Sequence, residues 1–224
     1  MKILALDFSS SQRSAAVLND SGKSAYEAVD SSPGREMKPF ALIESALRQA
    51  DAKREAIECI VIGIGPGSYA GIRVAISLAQ GWQLATGVKL LGISSVECIA
   101  AQAAADGMSG KFSVVIDAQR GEFYQVSYEV SNGGAKETSP LKLATMAEVS
   151  ERDVAGEILV GPEATRWFPH GRIIFPHAAM LTRLARQCSN YLPGEKLEPI
   201  YLRETTFVKA PPARQIRYPA TDAP

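Results

Sequence analysis

Along this chain, short apolar runs alternate with stripes of hydrophobic residues at helical spacing. Residues 2–8, KILALDF, form an apolar run of the length of one buried strand. SAAVLND (14–20) and KSAYEAV (23–29) read as two further strands joined by a turn at Asn19 to Gly22. Phe40, Ile43, Leu47 and Ala50 then mark one face of a helix over 38–51, with Pro39 suited to its first turn. A strand at 58–64, a helix over 69–86, a strand at 88–93 and a helix over 94–106 complete a βββαβαβα series.

The pattern then restarts. KFSVVIDAQRGEFYQVSYEV (111–130) repeats an apolar strand ending in aspartate, a polar turn and a second strand, as in KILALDFSSSQRSAAVL (2–18). EILVGPEA (157–164) echoes CIVIGIGPGS: a strand ending at Gly161, then a turn into a short helix. GRIIF predicts another strand, and 177–191 a helix with Leu181, Leu184, Ala185 and Cys188 on one face. The expected fold is therefore α/β, with two duplicated lobes facing a cleft. The lobes are placed at 1–108 and 109–209, followed by a Pro-rich tail at 210–224 that is expected to be mobile.

Composition narrows the picture. At 224 residues, 46% hydrophobic and 21% charged, the chain can bury a sizeable core. Its formal net charge of zero provides no long-range pull toward nucleic acid or membrane. Cys59, Cys98 and Cys188 are scattered in apolar contexts, which fits reduced thiols in the cytoplasm better than a disulfide framework. The first apolar run stops at Asp7, too short for a secretory signal, and no run reaches the length of a membrane span.

The segment GIGPGSYAGIR (63–73) calls for chemistry or for close packing. A phosphate loop of the Walker type needs a Lys-Ser/Thr pair after its last glycine, and none follows. Gly65-Pro66-Gly67-Ser68-Tyr69-Ala70 matches the loose dinucleotide pattern, but the next strand ends Gly92-Ile93-Ser94 without the acid that pattern requires. In the following helix Gly71, Ala75 and Ala79 form a stripe of minimal side chains. That stripe fits close approach, either to a helix of the same chain or to a partner chain.

LALDFSSS, GIGPGSYAGIRVAISLAQG, LLGISSVECIA, VVIDAQRGEFYQVSY and EPIYLR occur in that order. Together they resemble the TsaB (YeaZ) family over Met1 to about Arg203. The resemblance implies a duplicated two-lobed actin/Hsp70-like (ASKHA, ribonuclease H-like) fold with mixed sheets flanked by helices. It implies a non-catalytic subunit of the complex that adds threonylcarbamoyl to an adenosine of tRNAs decoding ANN codons. The main partner would be the catalytic TsaD homologue, with a TsaE homologue in the same complex, a homodimer when the chain is alone, and tRNA met only through the complex. The partner surface would use the two helices, and Phe40, Ile43, Leu47, Tyr69, Gly71, Ile72, Ala75, Ala79 and Trp82 are its expected residues. No tightly bound cofactor is expected; ATP or ADP with Mg²⁺ at the interface of the complex is left open. The sequence departs from the family's pattern at Asp7-Phe8-Ser9-Ser10 and at Tyr69-Ala70-Gly71-Ile72-Arg73, and it lacks a histidine around Arg35 to Lys38.

The remaining candidates divide between chemistry and structure. In the implied fold Asp7 and Asp117 face a cleft, and with Ser9, Gly65, Gly67, Ser68 and Arg120 they outline a nucleotide or phosphate site. The simpler reading of both aspartates is turn capping by nearby backbone amides. His170 and His177 stand seven apart, unlike the helical histidine pair of enzymatic relatives, so no metal site is expected. Arg73, in the first turn of its helix, calls for a carboxylate or phosphate beside it. Arg203, Lys209, Arg214 and Arg217 make a sparse basic segment that reads as solvated. The alternative to a scaffold subunit is a stand-alone ATP-dependent kinase or ATPase of the same fold.

Overall fold

Two five-stranded sheets share one topology. The computed structural model describes residues 1–19, 25–31, 37–131 and 133–203. The expected tail at 210–224 and the expected turn beyond Asn19 lie outside these residues, as do Lys209, Arg214 and Arg217. The first sheet contains β1 (Ile3–Asp7), β2 (Arg13–Leu18), β3 (Ala25–Asp30), β4 (Cys59–Gly63) and β5 (Lys89–Ile93), in the order β3-β2-β1-β4-β5. The second contains β6 (Gly110–Asp117), β7 (Glu122–Ser131), β8 (Gly134–Thr145), β9 (Ile158–Gly161) and β10 (Arg172–Ile173), in the order β8-β7-β6-β9-β10. In each sheet the first three strands are antiparallel and the last two continue parallel from the first. The duplication read from two aspartate-ending strands is thus a duplication of topology.

Both faces of each sheet are covered. Along β1, Leu4 and Leu6 point to one apolar cluster and Ile3 and Ala5 to another, because successive side chains alternate. Helices α1 (Pro39–Gln49) and α2 (Tyr69–Thr86) cover the Leu4 and Leu6 face. The opposite face is covered by α6 (Ala178–Ala185), through Ala178, Leu181 and Ala185. Helix α3 (Ser95–Ala105) packs on the second sheet, with Val96, Ile99, Ala100 and Ala103 against Phe112, Val114 and Ile116. The far side of that sheet carries α4 (Met146–Val154) and α5 (Ala164–Trp167), with Val149 and Ala164 beside Val115, Phe123 and Leu159.

The expected division at 108/109 therefore separates the sheets but not the helices. The helix before it lies on the second sheet, and α6, placed after it, lies on the first. The first sheet holds the N-terminus of α6: Ser14 Oγ accepts from the Ala178 amide at 2.8 Å and Glu27 Oε1 from the Ala179 amide at 3.1 Å. Helix α6 is also shorter than the predicted 177–191.

Two of the longer elements were not foreseen. Strand β8 is mostly exposed, polar and carries Pro140, which an edge strand tolerates because one side of its backbone needs no partner. Helix α4 follows directly. Its signal was present as Thr145-x-x-Glu148, which forms a capping box: the Glu148 amide donates to Thr145 Oγ1 at 3.3 Å and the Thr145 amide to Glu148 Oε2 at 2.7 Å.

Candidate functional site

The glycine loop serves close approach within the chain itself. A Cβ on Gly67 would lie 2.2 Å from the carbonyl oxygen of Ser9, and one on Gly71 would lie 1.9 Å from that of Phe8. The turn after β1 is therefore pressed against the loop and the first turn of α2, and the Ser68 amide donates to the Ser9 carbonyl at 2.7 Å. Gly67 has φ +148°, in the region that favours glycine. The Gly65–Pro66 bond is cis. Ser68 caps α2, its hydroxyl accepting from the Gly71 amide at 3.4 Å.

Asp7 lies behind this loop, fully buried. Its Oδ1 accepts from the Ser9 amide at 2.9 Å and the Ser9 hydroxyl at 2.7 Å, and its Oδ2 from the Ser95 hydroxyl at 3.0 Å. Ser95 Oγ also accepts from the Gly65 amide at 3.2 Å, so one carboxylate ties the end of β1 to α3 and the glycine loop. Burial raises the Asp7 carboxyl from 3.8 to about 6, against the lowering effect of these bonds. The capping role expected of Asp7 is present, but its expected place in an open cleft is not: desolvation behind Gly63 and Ser95 closes it off. Gly65 is likewise buried, against Ile72.

A cavity of about 800 Å³ opens in front of this layer, between the two sheets. It gathers five of the predicted cleft residues: Ser9, Gly67, Ser68, Asp117 and Arg120. Asp117 ends β6 and caps its turn, accepting from the Gln119 amide at 2.7 Å. Gln119 and Arg120 both have left-handed backbones, φ +65° and +61°. Tyr69, Tyr124, Glu163, Arg166, Tyr201 and Arg203 complete most of the wall. Glu163 follows β9 as Gly65 follows β4, so the echo between the two halves was the signal that could have found it. Burial first, and then the charge of Asp117, raise the Glu163 carboxyl above its ordinary range. Its Oε2 is buried without a hydrogen-bond partner. Arg203 bonds the Glu122 carboxylate and donates to the carbonyls of Ala118 at 3.1 Å and Gln119 at 3.3 Å.

The predicted partner surface is corrected in part. Ile43, Leu47, Gly71, Ile72, Ala75 and Ala79 are buried in this chain's own core. The small stripe is buried against the first sheet and residues of α1. It lets α2 settle onto its own sheet, because that helix begins where the β1–β2 turn passes. Phe40 is 67% and Tyr69 54% exposed, and Trp82 is half-buried. Between the outer sides of α1 and α2 runs a groove of about 350 Å³, lined by Pro39, Phe40, Arg73, Val74, Ser77 and Leu78. Arg73 meets the ring of Tyr69 at 5.2 Å, and its guanidinium donates to the Tyr69 hydroxyl, where a carboxylate or phosphate was expected.

The two histidines serve different acids: His170 Nδ1 lies 3.4 Å from Asp153 and His177 Nδ1 3.1 Å from Glu27. Among the described residues no three His, Cys, Asp or Glu side chains cluster as metal ligands, and no helix is long and apolar enough to cross a membrane.

Comparison with known proteins decides the family. A model of the family described as TsaD, tRNA N6-adenosine threonylcarbamoyltransferase, matches residues 39–198. The chain belongs to that family. The Escherichia coli K12 tRNA threonylcarbamoyladenosine biosynthesis protein TsaB is 25% identical, over 96% of this chain and all of that one. TsaB of Bacillus subtilis 168 is 27% identical, over 66% of this chain and 64% of its own. Among solved structures, a Pseudomonas aeruginosa protein described as similar to peptidase YeaZ superposes with a TM-score of 0.77 at 24% identity, over 90% of this chain and 99% of that one. YeaZ from the same organism gives 0.76 at 23%, with the same coverage. The chain shares their fold, two mixed sheets of one topology flanked by helices.

Proposed function

We propose that the chain is a non-catalytic subunit in the biosynthesis of tRNA threonylcarbamoyladenosine, and that it pairs with the catalytic TsaD homologue through the outer sides of α1 and α2. The observation that carries this reading is the groove between them. The inner faces of both helices are spent on the first sheet. Outside remain Phe40, exposed, and Val74 and Leu78, partly buried, with Arg73 and Ser77 among them. An apolar groove rimmed by polar groups is the anatomy of an anchor site in a protein interface. The names of its relatives supply the pathway. In this reading a TsaE homologue joins the same complex, tRNA is brought to it by the complex, and any ATP or ADP with Mg²⁺ belongs to the interface. The isolated chain pairs with itself through the same groove.

Co-purification with the TsaD homologue of the same cell tests the pairing. Phe40→Asp with Leu78→Asp is expected to abolish capture while the circular dichroism spectrum stays unchanged. Undiminished capture would place the partner surface elsewhere. Turnover of ATP with Mg²⁺ by the purified chain alone would sink the non-catalytic half of the proposal and favour the kinase or ATPase alternative.

A further inference from the structure

The cavity between the sheets shares no lining residue with the groove on α1 and α2, although Arg73 of the groove touches Tyr69 of the cavity, and pairing through the groove does not account for it. We infer that this cavity binds a single unpaired nucleotide of an RNA strand. The inference rests on the tRNA-related reading above, and it departs from the expectation that tRNA is met only through the complex.

Three features of the wall carry it. Tyr69 and Tyr201 pack together with ring centroids 5.3 Å apart, and each stays about half exposed, at 54% and 46%. Their planes are inclined by 32°, and they make an aromatic step at the mouth on whose exposed ring faces an unpaired base can stack. Opposite it, Glu163 Oε2 is buried without a hydrogen-bond donor, beside Asp117. A buried acceptor of this kind is costly unless a donor fills it, and the exocyclic amino group of a base is such a donor. Arg120 and Arg166 are exposed at the edge, and the Arg166 guanidinium rests on the Trp167 ring at 4.7 Å. They are placed to meet a backbone phosphate.

The same wall argues against a free nucleoside triphosphate. Two carboxylates, Asp117 and Glu163, face the space where a chain of phosphates would lie, and like charges at close range repel. A phosphodiester carries one negative charge per phosphate and can leave the cavity at its open edge. The volume of about 800 Å³ is within the range of pockets that enclose a ligand of nucleotide size.

Fluorescence anisotropy with the purified chain and a labelled single-stranded oligoadenylate tests this, with its duplex with oligouridylate as the comparison. Saturable binding to the single strand is expected, at least tenfold weaker to the duplex. Tyr201→Ala and Arg166→Ala should each weaken it about tenfold, and Tyr201→Phe should restore most of the loss. Both side chains are exposed, and circular dichroism checks that the fold is kept. Absence of saturable binding, or binding that neither substitution weakens, would overturn the inference. So would equal or tighter binding of ATP at the same residues, which would make this a mononucleotide site. The assay needs no partner protein, so its failure leaves the pairing proposal standing, and loss of capture by the groove variants leaves this one standing.

Discussion

The carbonyl oxygen of Phe8 occupies the place where a side chain on Gly71 would begin, 1.9 Å from the position of its Cβ. The carbonyl is backbone, in the residue after β1, and the Cβ would be fixed by the backbone of the first turn of α2, so neither can turn aside. Gly71→Ala is expected to push the helix off the sheet and to cost about 2–3 kcal/mol, as overpacking of a rigid core does. Ala75→Leu, one turn on, should cost a similar amount, because Ala75 is fully buried among residues of the first sheet and α1. Urea denaturation beside sedimentation velocity checks both: the unfolding midpoint should fall. Lost association with an unchanged midpoint would return the stripe to a partner surface.

Asp7 should make stability fall as pH rises from about 4 to about 6. Its carboxyl is raised from 3.8 to about 6 by burial, so the folded state holds the proton more tightly than the unfolded one. The stabilising contribution is complete below the unfolded value and is lost as pH passes the folded one. The shift corresponds to about 3 kcal/mol across that window. Asp7→Asn should flatten this part of the profile, and the difference between wild type and variant isolates Asp7 from other titrating groups. Unfolding midpoints at about pH 4, 5, 6 and 7 decide it; parallel profiles would mean that Asp7 is ionised at no cost.

Glu27 reaches from β3 to hold α6, bonding His177 at 3.1 Å and the Ala179 amide at 3.1 Å. Burial opposes the Glu27 charge, but these bonds together lower its carboxyl; the Glu27 bond is the main cause that raises His177. The acid's contribution is present above its unfolded value and lost as pH falls through its folded one. The histidine's is present below its unfolded value and lost as pH rises through its raised one. Stability from the pair therefore peaks between about 4.5 and 6.5. Glu27→Ala should cost about 1–2 kcal/mol near pH 5.5 and less near pH 8, read from denaturant midpoints at the two values. An equal loss at both would assign the effect to capping of α6 alone.

A fragment ending at residue 108 should not fold. It would lack α6, which covers one face of the first sheet, and would expose Val96, Ile99 and Ala103 of α3, which belong against the second. Circular dichroism and size exclusion of the fragment check this. A cooperative, monomeric fragment would show that the exchange of helices is dispensable.

The sequence by itself determined most of the strands and helices, because each rests on local periodicity: a run of the KILALDF kind must be buried on both sides, and the 69–86 stripe must be a helix. It also determined the duplication, through two aspartates ending equivalent strands and through the echo of GIGPGS in VGPEA. It missed β8, whose polar edge has little apolar pattern to read, although the Thr145 and Glu148 signature for α4 was legible. Five of the seven residues proposed for a cleft line the cavity between the sheets, since turns after buried strands open toward that space. Only the tertiary structure decided which side each small or charged residue faces. Gly71, Ala75 and Ala79 form one stripe in sequence, and that stripe fits a partner as well as a sheet. The path of the β1–β2 turn, about 60 residues away, chose the sheet, just as the return of α6 to the first sheet decided that the two halves share their helices. Such choices depend on contacts distant in sequence, whose geometry no local spacing encodes.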